Sequence, residues 1–311
     1  MSQPIFMMMC GLPGSGKSTY AKTYKDTFKI FSSDEIRAEL LGDETNQEEN
    51  DIVFRELHRR IKESLANGEN CIYDACNISY KRRMAFLGEI KKYNPHTICV
   101  FNWKPYEQCL IDNKKRDRVV PDYAIERMYK NIFIPQFFEG WDKIDIVQYG
   151  KPSTSLGNMF YGSYGNNGLI SIPHDNHHHS LTIGQHILST YLHAVKMTDD
   201  NDIHVAALLH DIGKPFTKGF KDSKGNPSEE AHYYQHHLVS AYMAVPYIVA
   251  GGFCDDFKNE LEILALITFH MYPYFWEKDN NTKMMEKYKK LWGSDLFDKV
   301  MILHDADDLA H

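Results

Sequence analysis

The sequence predicts an α/β domain with a parallel sheet, followed by an all-α helical domain. The first half alternates short apolar runs, bounded by polar or turn residues, with amphipathic stretches of helical period. That alternation is typical of parallel strands covered by helices. The second half consists mainly of helical patterns, and a stretch rich in Gly, Ser and Asn separates the two halves. We therefore expect a first domain at 1–150, a linker at 151–172 and a second domain at 173–311.

Each predicted element follows from its residue pattern. The predicted strands are short, apolar and bounded by turn residues: IFMMMC, FKIFSS, ENCIYDA and TICVFNW. The predicted helices of the first half carry apolar residues at helical spacing: IVFRELHRRIKESLANG and SYKRRMAFLGEIKKY. The predicted helices of the second half are LTIGQHILSTYLHAV, DIHVAALLH, EEAHYYQHHLVSAYMAVPYIVA, NELEILALITFHM and DLFDKVMILHDADDLA.

Composition narrows the class of protein. The 311 residues suffice for two domains, and 43% hydrophobic with 25% charged residues is ordinary for a globular chain. A net charge of -7 argues against indiscriminate binding to duplex nucleic acid, which requires many basic residues. The six cysteines lack metal-knuckle spacing, and the apolar start is too short for a signal peptide. We expect a reduced, cytoplasmic chain without a membrane span.

The first motif is GLPGSGKS, a full P-loop pattern between a predicted strand and a predicted helix. Backbone amides and a helix start supply positive potential for phosphates, so the motif predicts binding of ATP with Mg²⁺. Lys17 should reach the outer phosphates, and the Ser18 hydroxyl should bind Mg²⁺. The alternative is a chance glycine turn. The predicted nucleotide-binding residues are Gly11, Gly14, Ser15, Gly16, Lys17, Ser18 and Thr19.

Polar residues follow two further predicted strands. FSSDEIR places Asp34 just past a strand end, with Arg37 one helical turn later. A carboxylate there can accept a hydroxyl proton, and an arginine can hold an acceptor phosphate. CIYDACN places Asp74 and Asn77 at the same predicted edge. In both motifs the alternative is helix capping, by Ser33 or Asp34 in the first and by the buried polar residues in the second.

The stretch NKKRDRVVP is a basic cluster. Such clusters usually form a solvated surface, but a P-loop kinase needs a mobile arginine to offset charge on the transferred group. We predict that Arg116 is this residue.

Together, GLPGSGKST, SSDEIR, YDACN with KRRMAF, and NKKRDRVVPDYAIERMYKNI resemble the kinase domain of the phage-type polynucleotide 5′-hydroxyl kinases. The resemblance covers roughly residues 3–135 and implies a polynucleotide kinase domain. The roles that it implies are donor-phosphate binding by Lys17 and Ser18, general base for Asp34, binding of the acceptor's 3′-side phosphate by Arg37, a place near the acceptor or metal for Asp74, and the lid arginine for Arg116.

The second motif, LLHDIGK, puts His210 and Asp211 next to each other at the end of an apolar helix that Gly213 should terminate. Adjacent side chains reach one ion only where a helix ends or bends. Separate apolar helices carry further candidates, which are His186, His236, His270 and Asp305.

A lone histidine in an apolar helix is usually a satisfied core residue. Several buried polar groups together cost free energy unless they are paired, and a shared metal pairs them all. Imidazole and carboxylate ligands suit a divalent ion that activates water, such as Mn²⁺, Co²⁺, Ni²⁺ or Zn²⁺.

This half, at about residues 175–311, resembles the HD-domain metal-dependent phosphohydrolases, most closely the variant with HDIGKP. Sequence does not separate His236 from His237, although HHLVSA favours His236. The run His177, His178 and His179 is predicted to be loop surface. The resemblance implies one ion held by His186, His210, Asp211 and Asp305, a second held by His236, His270 and bridging Asp211, and contact of Lys214 with the scissile phosphate.

The two modules together predict a bifunctional enzyme that heals nucleic-acid ends. A kinase would phosphorylate a 5′-OH, and a phosphohydrolase would remove a 2′,3′-cyclic, 2′- or 3′-phosphate. These are the ends that many ribonucleases leave, so RNA ends are the expected substrate, with DNA left open, and a separate RNA ligase is the expected partner. A known class of bacterial enzymes joins these modules in the opposite order. The alternatives are a small-molecule or nucleoside kinase fused to a nucleotide monophosphatase, and a non-catalytic nucleotide-gated module.

Overall fold

The computed structural model describes residues 3–44, 46, 48–163, 167–176, 180–249, 257–278 and 281–310. The chain divides into two compact units, Met1–Lys151 and Pro152–His311. Within the described residues, no helix combines the length and apolar character needed to cross a membrane. The predicted surface loop at 177–179 lies outside the described residues.

The first unit is built on a sheet of five strands, all parallel, in the order β2-β3-β1-β4-β5. Strands β2 and β3 lie on one side of β1, and strands β4 and β5 lie on the other side. A crevice therefore opens at the carboxyl end of β1, where open α/β sheets bind ligands. The strands are β1 (Ile5–Cys10), β2 (Lys29–Ser32), β3 (Cys71–Asp74), β4 (His96–Trp103) and β5 (Lys143–Gln148).

Helices cover the sheet because their apolar stripes pack on strands that are buried along nearly their whole length, such as β1 and β3. Helix α3 shows the pattern well, with buried Val53, Leu57 and Ile61 at helical spacing. The helices of the first unit are α1 (Lys17–Lys22), α2 (Ser33–Leu41), α3 (Asn50–Ala66), α4 (Tyr80–Ile90), α5 (Tyr106–Asn113) and α6 (Asp122–Tyr129).

A buried ion pair joins α4 to the loop that precedes β5. Arg83 donates to both carboxylate oxygens of Glu139, at 2.7 and 2.6 Å. Arg83 also donates to the carbonyls of Asn77, at 2.8 Å, and Phe133, at 3.0 Å. Glu139 accepts in addition from the Trp141 indole at 3.0 Å. Because both charges are fully hydrogen-bonded, the pair fixes the loop after β3 rather than leaving a buried charge unpaired.

The second unit is mainly helical. Thr182 and Gln185 form a capping box at the start of α8, and Asp200 caps α9. Pro246 lies inside α11. The helices are α7 (Leu156–Tyr161), α8 (Ile183–Met197), α9 (Asn201–Leu209), α10 (Lys214–Thr217), α11 (His236–Val249), α12 (Phe257–Phe269), α13 (Tyr272–Lys278), α14 (Thr282–Trp292) and α15 (Ser294–Asp308).

The predicted fold class, an α/β domain followed by a helical domain, is confirmed, with three local differences. Strand β5 was not predicted, since the charged residues Lys143 and Asp145 alternate with its apolar residues. The stretch at 229–234 was predicted as helix, but β7 (Pro227–His232) pairs antiparallel with β6 (Gly219–Lys221). The predicted linker holds α7 and a 3₁₀ turn at Leu169–Ser171, and both belong to the second unit.

Candidate active sites

The P-loop wraps tightly between β1 and α1. Gly14 has φ 81°, and a Cβ there would lie 2.3 Å from the Cys109 carbonyl oxygen. A Cβ on Gly11 would lie 2.6 Å from the Asn102 carbonyl oxygen. Only glycine fits at these two positions, so the backbone amides are left facing the crevice for a phosphate group.

The P-loop lysine is held inside its own turn. Lys17 Nζ donates to the Leu12 carbonyl oxygen at 2.6 Å and is buried. Ser18 and Thr19, the next two residues, are exposed. The Ser18 hydroxyl hydrogen-bonds the Asp74 carboxylate at the end of β3, and burial raises the pKa of that carboxyl above its ordinary value. Thus Lys17, Ser18 and Asp74 converge at the carboxyl end of β1 and β3.

Asp34 lies at the same edge, because Ser32 at the end of β2 pairs in register with Asp74. The alternative prediction, that Ser33 or Asp34 caps α2, is wrong. Ser32 caps this helix, because its hydroxyl accepts from the backbone N–H of Asp34 at 3.3 Å. The carboxylate of Asp34 is therefore not the helix cap.

Three arginines surround the Asp34 carboxylate. Arg37 Nη1 lies 3.1 Å from Oδ1, and Arg116 Nη2 lies 3.3 Å from Oδ2. Arg118 also donates to Oδ1. Burial lowers the pKa of Arg37, and the charge of Arg118 lowers it further, while Asp34 opposes both effects. The positive charge around Asp34 thus exceeds the one negative charge of the carboxylate.

Two features of this site differ from the sequence-based expectation. Asn77, predicted to bind substrate, donates instead to the Met9 carbonyl at 2.8 Å and has φ 45°. The structure therefore favours the structural alternative, since the Asn77 amide ties the loop after β3 to β1. Arg118, which was not singled out, is less exposed than Arg116 and contacts Asp34 as well. The basic stretch contained both arginines, but sequence spacing could not show which of them faces the crevice.

The second unit brings together a buried cluster of histidines and aspartates. His186 Nε2 lies 3.3 Å from Asp211 Oδ2 and 2.8 Å from Asp307 Oδ1. His210 Nε2 lies 3.3 Å from each of the same two oxygens. Ligand atoms about 2.1 Å from one ion lie about 3.0 to 3.4 Å apart, so this set has the separations that a shared metal requires.

A second set shares Asp211. His236 Nε2 lies 3.2 Å from Asp211 Oδ1 and 3.3 Å from His270 Nε2. His270 Nε2 lies 3.9 Å from Asp211 Oδ1. The two sets of ligand atoms each fall within a space that one metal ion could occupy, with Asp211 common to both.

Each of the four histidines presents Nε2 to the cluster because a backbone carbonyl faces its Nδ1. A carbonyl only accepts, so Nδ1 carries the proton and Nε2 keeps its lone pair, as in metal-ligating histidines. The Nδ1–O distances are 3.4 Å for His186 and Ala310, 2.8 Å for His210 and Ala207, 2.7 Å for His236 and Tyr233, and 2.8 Å for His270 and Ile267.

Several buried atoms of the cluster have no hydrogen-bond partner within the described chain. They are His210 Nε2, Asp211 Oδ1 and Asp307 Oδ1. Buried acceptors that face one another are costly unless a cation lies between them. The residues present therefore fit a divalent metal.

The charges of the cluster support this assignment. Burial would lower the pKa of His210, but the Asp211 and Asp307 carboxylates outweigh it and raise the pKa to about 10, so a cation, either a proton or a metal ion, is favoured at His210 Nε2. Although burial opposes ionisation, the neighbouring positive charge holds the pKa values of Asp211 and Asp307 well below their ordinary range. Both carboxylates are thus anionic at neutral pH and attract a cation.

The predicted ligand Asp305 is wrong. Asp305 is exposed, whereas Asp307 is buried and contacts His186 and His210. The reason is helical phase: Val300, Leu303 and Asp307 share the buried stripe of α15, and residue 305 points away from it. The apolar spacing of the sequence contained this signal.

Gly213 allows the two sets of possible metal ligands to lie next to each other. Helix α9 ends at Leu209, so His210 and Asp211 lie in the turn that follows it. A Cβ on Gly213 would lie 2.6 Å from the Ser240 backbone nitrogen and 2.8 Å from the His236 carbonyl oxygen. The glycine thus allows α11 to approach this turn closely. His236 joins the cluster, and His237 lies outside both sets.

Lys214 closes one side of the cluster. Its Nζ lies 2.6 Å from Asp211 Oδ2 and 3.3 Å from His174 Nε2. His174, which sequence reasoning missed, is buried and faces the Leu181 carbonyl through Nδ1 at 2.8 Å. It precedes the helical patterns, so no periodicity marked it.

Comparisons with known families agree with these two folds. Residues 6–135 match the family model of the AAA domain, and residues 183–311 match that of the HD domain. The first match lies within the α/β unit that carries the P-loop, and the second lies within the helical unit. No curated protein sequence matches the chain.

Solved structures similar to this chain include several kinases. A structure of the Pnkp1/Rnl/Hen1 complex matches with 23% identity and a TM-score of 0.34, over 39% of this chain and 41% of the other. A sugar kinase from Janibacter sp. HTCC2649 has 15% identity and a TM-score of 0.36, over 47% and 85% of the two chains. A gluconokinase from Sinorhizobium meliloti 1021 has 15% identity and a TM-score of 0.34, over 49% and 86%.

Proposed function

We propose that the chain is a bifunctional enzyme that heals nucleic-acid ends. The first unit phosphorylates 5′-OH ends with ATP, and the second removes 2′,3′-cyclic, 2′- or 3′-phosphates with a divalent metal. RNA ends are the preferred substrate of the proposal, and a separate ligase would join the healed ends in the cytoplasm.

The observation that carries the proposal is the excess of arginine around Asp34. Arg37, Arg116 and Arg118 all contact this carboxylate, which alone neutralises only one of them. One arginine can serve the transferred phosphoryl group. The others favour an acceptor that carries phosphates of its own, as a polynucleotide does and a free sugar or nucleoside does not.

In the kinase reaction, Asp34 accepts the proton of the 5′-OH while the hydroxyl oxygen attacks the γ-phosphorus of ATP. The new O–P bond forms as the bond to the β-phosphate oxygen breaks, and ADP leaves. Lys17 would exchange its bond to the Leu12 carbonyl for the outer phosphates, and Ser18 and Asp74, which hydrogen-bond each other, would hold Mg²⁺. Arg37 orients the acceptor phosphate, and Arg116 offsets charge on the transferred group.

In the second unit, His186, His210, Asp211 and Asp307 would hold one divalent ion, and Asp211, His236 and His270 a second. The ion would supply Lewis-acid polarisation of a phosphoryl oxygen and a water of lowered pKa. Lys214 would bind a non-bridging oxygen of the phosphate, since its ammonium is already fixed beside Asp211. The histidine Nδ1 bonds to backbone carbonyls orient the ligands.

The test uses an oligoribonucleotide with a 5′-OH and a 2′,3′-cyclic phosphate, together with radiolabelled ATP, Mg²⁺ and Mn²⁺. We expect label at the 5′ end and loss of the terminal phosphate. Asp34→Asn should remove only the first activity, and Asp211→Asn only the second. Glu35→Gln, an exposed neighbour of Asp34, is the matched control for the kinase variant.

Two results would overturn the proposal. Phosphorylation of free nucleosides or sugars in preference to the oligonucleotide would point to a small-molecule kinase with a nucleotide phosphatase. Bound metal without turnover of any phosphoester would point to a non-catalytic module.

A further inference from the structure

The hairpin of β6 and β7 is unexplained by the reactions above. It lies in the chain between Lys214 and His236, both of which contact Asp211 in the cluster of histidines and aspartates. An open cleft of about 710 Å³ follows one face of the hairpin. Its lining includes Thr217, Phe220, Lys221, His232, Tyr234 and Gln235.

The cleft presents exposed aromatic faces. Phe220 and Tyr234 are each 49% exposed, and both line the same cleft. The rings of His232 and Tyr234 are nearly parallel, with an interplanar angle of 10° and centroids 5.4 Å apart. The His232 ring is fixed by a 3.1 Å contact of Nε2 with the Ser228 hydroxyl. Flat, fixed aromatic faces of this kind stack nucleobases irrespective of sequence.

The cleft lining includes one cation that can contact a backbone phosphate. Lys221 lines the cleft directly. The one carboxylate of the lining, Asp222, is used within the turn of the hairpin, where it accepts from the backbone N–H groups of Lys224 at 2.9 Å and Asn226 at 2.8 Å. Because these hydrogen bonds hold the Asp222 carboxylate in the turn, Lys221 is the charged side chain of the lining that can move to contact a phosphate.

Two residues of the cleft lining adjoin members of the cluster along the chain. Lys214 and His236 retain 6% and 5% exposure, whereas His210 and His270 are 0% exposed. Thr217 lies one helical turn after Lys214, and Gln235 immediately precedes His236. The hairpin is thus close in the chain to two residues of the cluster that retain some exposure.

We propose that this cleft is a base-stacking subsite for single-stranded nucleic acid, holding the nucleotides next to the phosphate-bearing end. The inference rests on the proposed phosphohydrolase function and deepens it, because it makes a strand rather than a mononucleotide the preferred substrate of the second unit. Phe220 and Tyr234 stack the bases, and Lys221 contacts a backbone phosphate.

The test compares the full chain with the Phe220→Ala/Tyr234→Ala double variant. We expect the KM for a 3′-phosphorylated oligoribonucleotide to rise about 10-fold or more, with hydrolysis of p-nitrophenyl phosphate unchanged. Tyr161→Ala, which removes an exposed aromatic side chain elsewhere in the second unit, should change neither. An unchanged KM for the oligonucleotide, or an equal loss with both substrates, would overturn the inference.

Photo-cross-linking separates this inference from the proposed function. An oligoribonucleotide with 5-iodouridine at its last two positions is irradiated with the wild-type chain, and the adducts are mapped by mass spectrometry. Adducts on Phe220, His232 or Tyr234 support the subsite even if the chain hydrolyses nothing. Adducts confined to other residues, as expected if the cleft binds a protein instead, would overturn it.

Discussion

The two candidate sites have opposite electrostatic character. In the first unit, Arg37, Arg116 and Arg118 surround one carboxylate, so positive charge is in excess. In the second unit, Asp211 and Asp307 face imidazole lone pairs with one nearby ammonium, so negative charge and lone pairs are in excess. The first site is prepared for a polyanion and the second for a cation. The comparison teaches that buried atoms without partners, rather than residue identity alone, indicate which ligand a site takes.

The largest expected effect comes from Asp307. Asp307→Asn leaves His186 and His210 without their shared carboxylate oxygen, so bound metal and phosphatase activity should fall by more than about 100-fold. Metal content and phosphate release measure this, while kinase activity should persist. Asp305→Asn is the matched control on the exposed face of α15, and an equal loss there would refute the helical-phase argument.

The next effect concerns the base of the kinase. Asp34→Asn should lower kcat for 5′-OH phosphorylation by about 10²- to 10⁴-fold, because the amide cannot accept the proton. ATP binding should remain, since the P-loop is untouched. A rate within a few-fold of wild type, with Glu35→Gln as control, would remove Asp34 from the reaction.

A stability effect follows from the buried pair in the first unit. Arg83→Leu leaves Glu139 buried and unpaired, so the free energy of unfolding should fall by about 3 to 5 kcal/mol. Denaturant unfolding followed by intrinsic fluorescence measures it. Replacing both partners, as Arg83→Leu with Glu139→Gln, should recover part of the loss, and a single variant as stable as wild type would contradict this reading.

Replacing Arg118 tests whether the first unit binds a charged phosphoryl acceptor. Arg118→Ala should raise the KM for an oligonucleotide acceptor by about 10-fold, because a charge-assisted contact is lost. The KM for an uncharged nucleoside acceptor, if it is phosphorylated at all, should change less. Equal changes for both acceptors would mean that the arginine serves the donor or the fold only.

The smallest effect is a pH dependence in the first unit. His58 packs on Tyr73 and Phe86, and burial lowers its pKa below the ordinary value of 6.5. Because the unfolded chain then takes up a proton at His58 more readily than the folded chain, the free energy of unfolding is highest above pH 6.5. It decreases as the pH falls from 6.5 through the lower pKa of the folded state. Unfolding from about pH 7 to pH 5 should therefore be less pH-dependent in His58→Gln than in wild type. Identical slopes would show that His58 does not contribute.

Sequence predicted the parts of the molecule that local patterns encode. The P-loop and the buried strands were predictable because glycine chemistry and apolar runs are local. Strand β5 was missed because charged residues alternate with its apolar residues, and β7 was mistaken for helix because short runs fit both periods. The predicted cap of α2 was Ser33 or Asp34, whereas Ser32 is the cap, because sequence alone does not locate the first residue of a helix to within one position.

The site residues divide in the same way. His186, His210, Asp211, His236 and His270 were selected from sequence, and the structure brings them together. Asp307 could have been found from the buried stripe of α15, which includes Val300 and Leu303 and excludes position 305. His174 and Arg118 are placed by tertiary contacts alone, so no local pattern could have identified them.

The central claim is that one chain holds an anion-binding crevice at Lys17 and a metal-binding cluster at Asp211. Anomalous scattering from crystals grown with Mn²⁺ and a non-hydrolysable ATP analogue tests it most directly. We expect a manganese peak bounded by His186, His210, Asp211 and Asp307, and triphosphate density against Lys17. A crystal with manganese at neither aspartate, or with the P-loop free of nucleotide, would contradict the account.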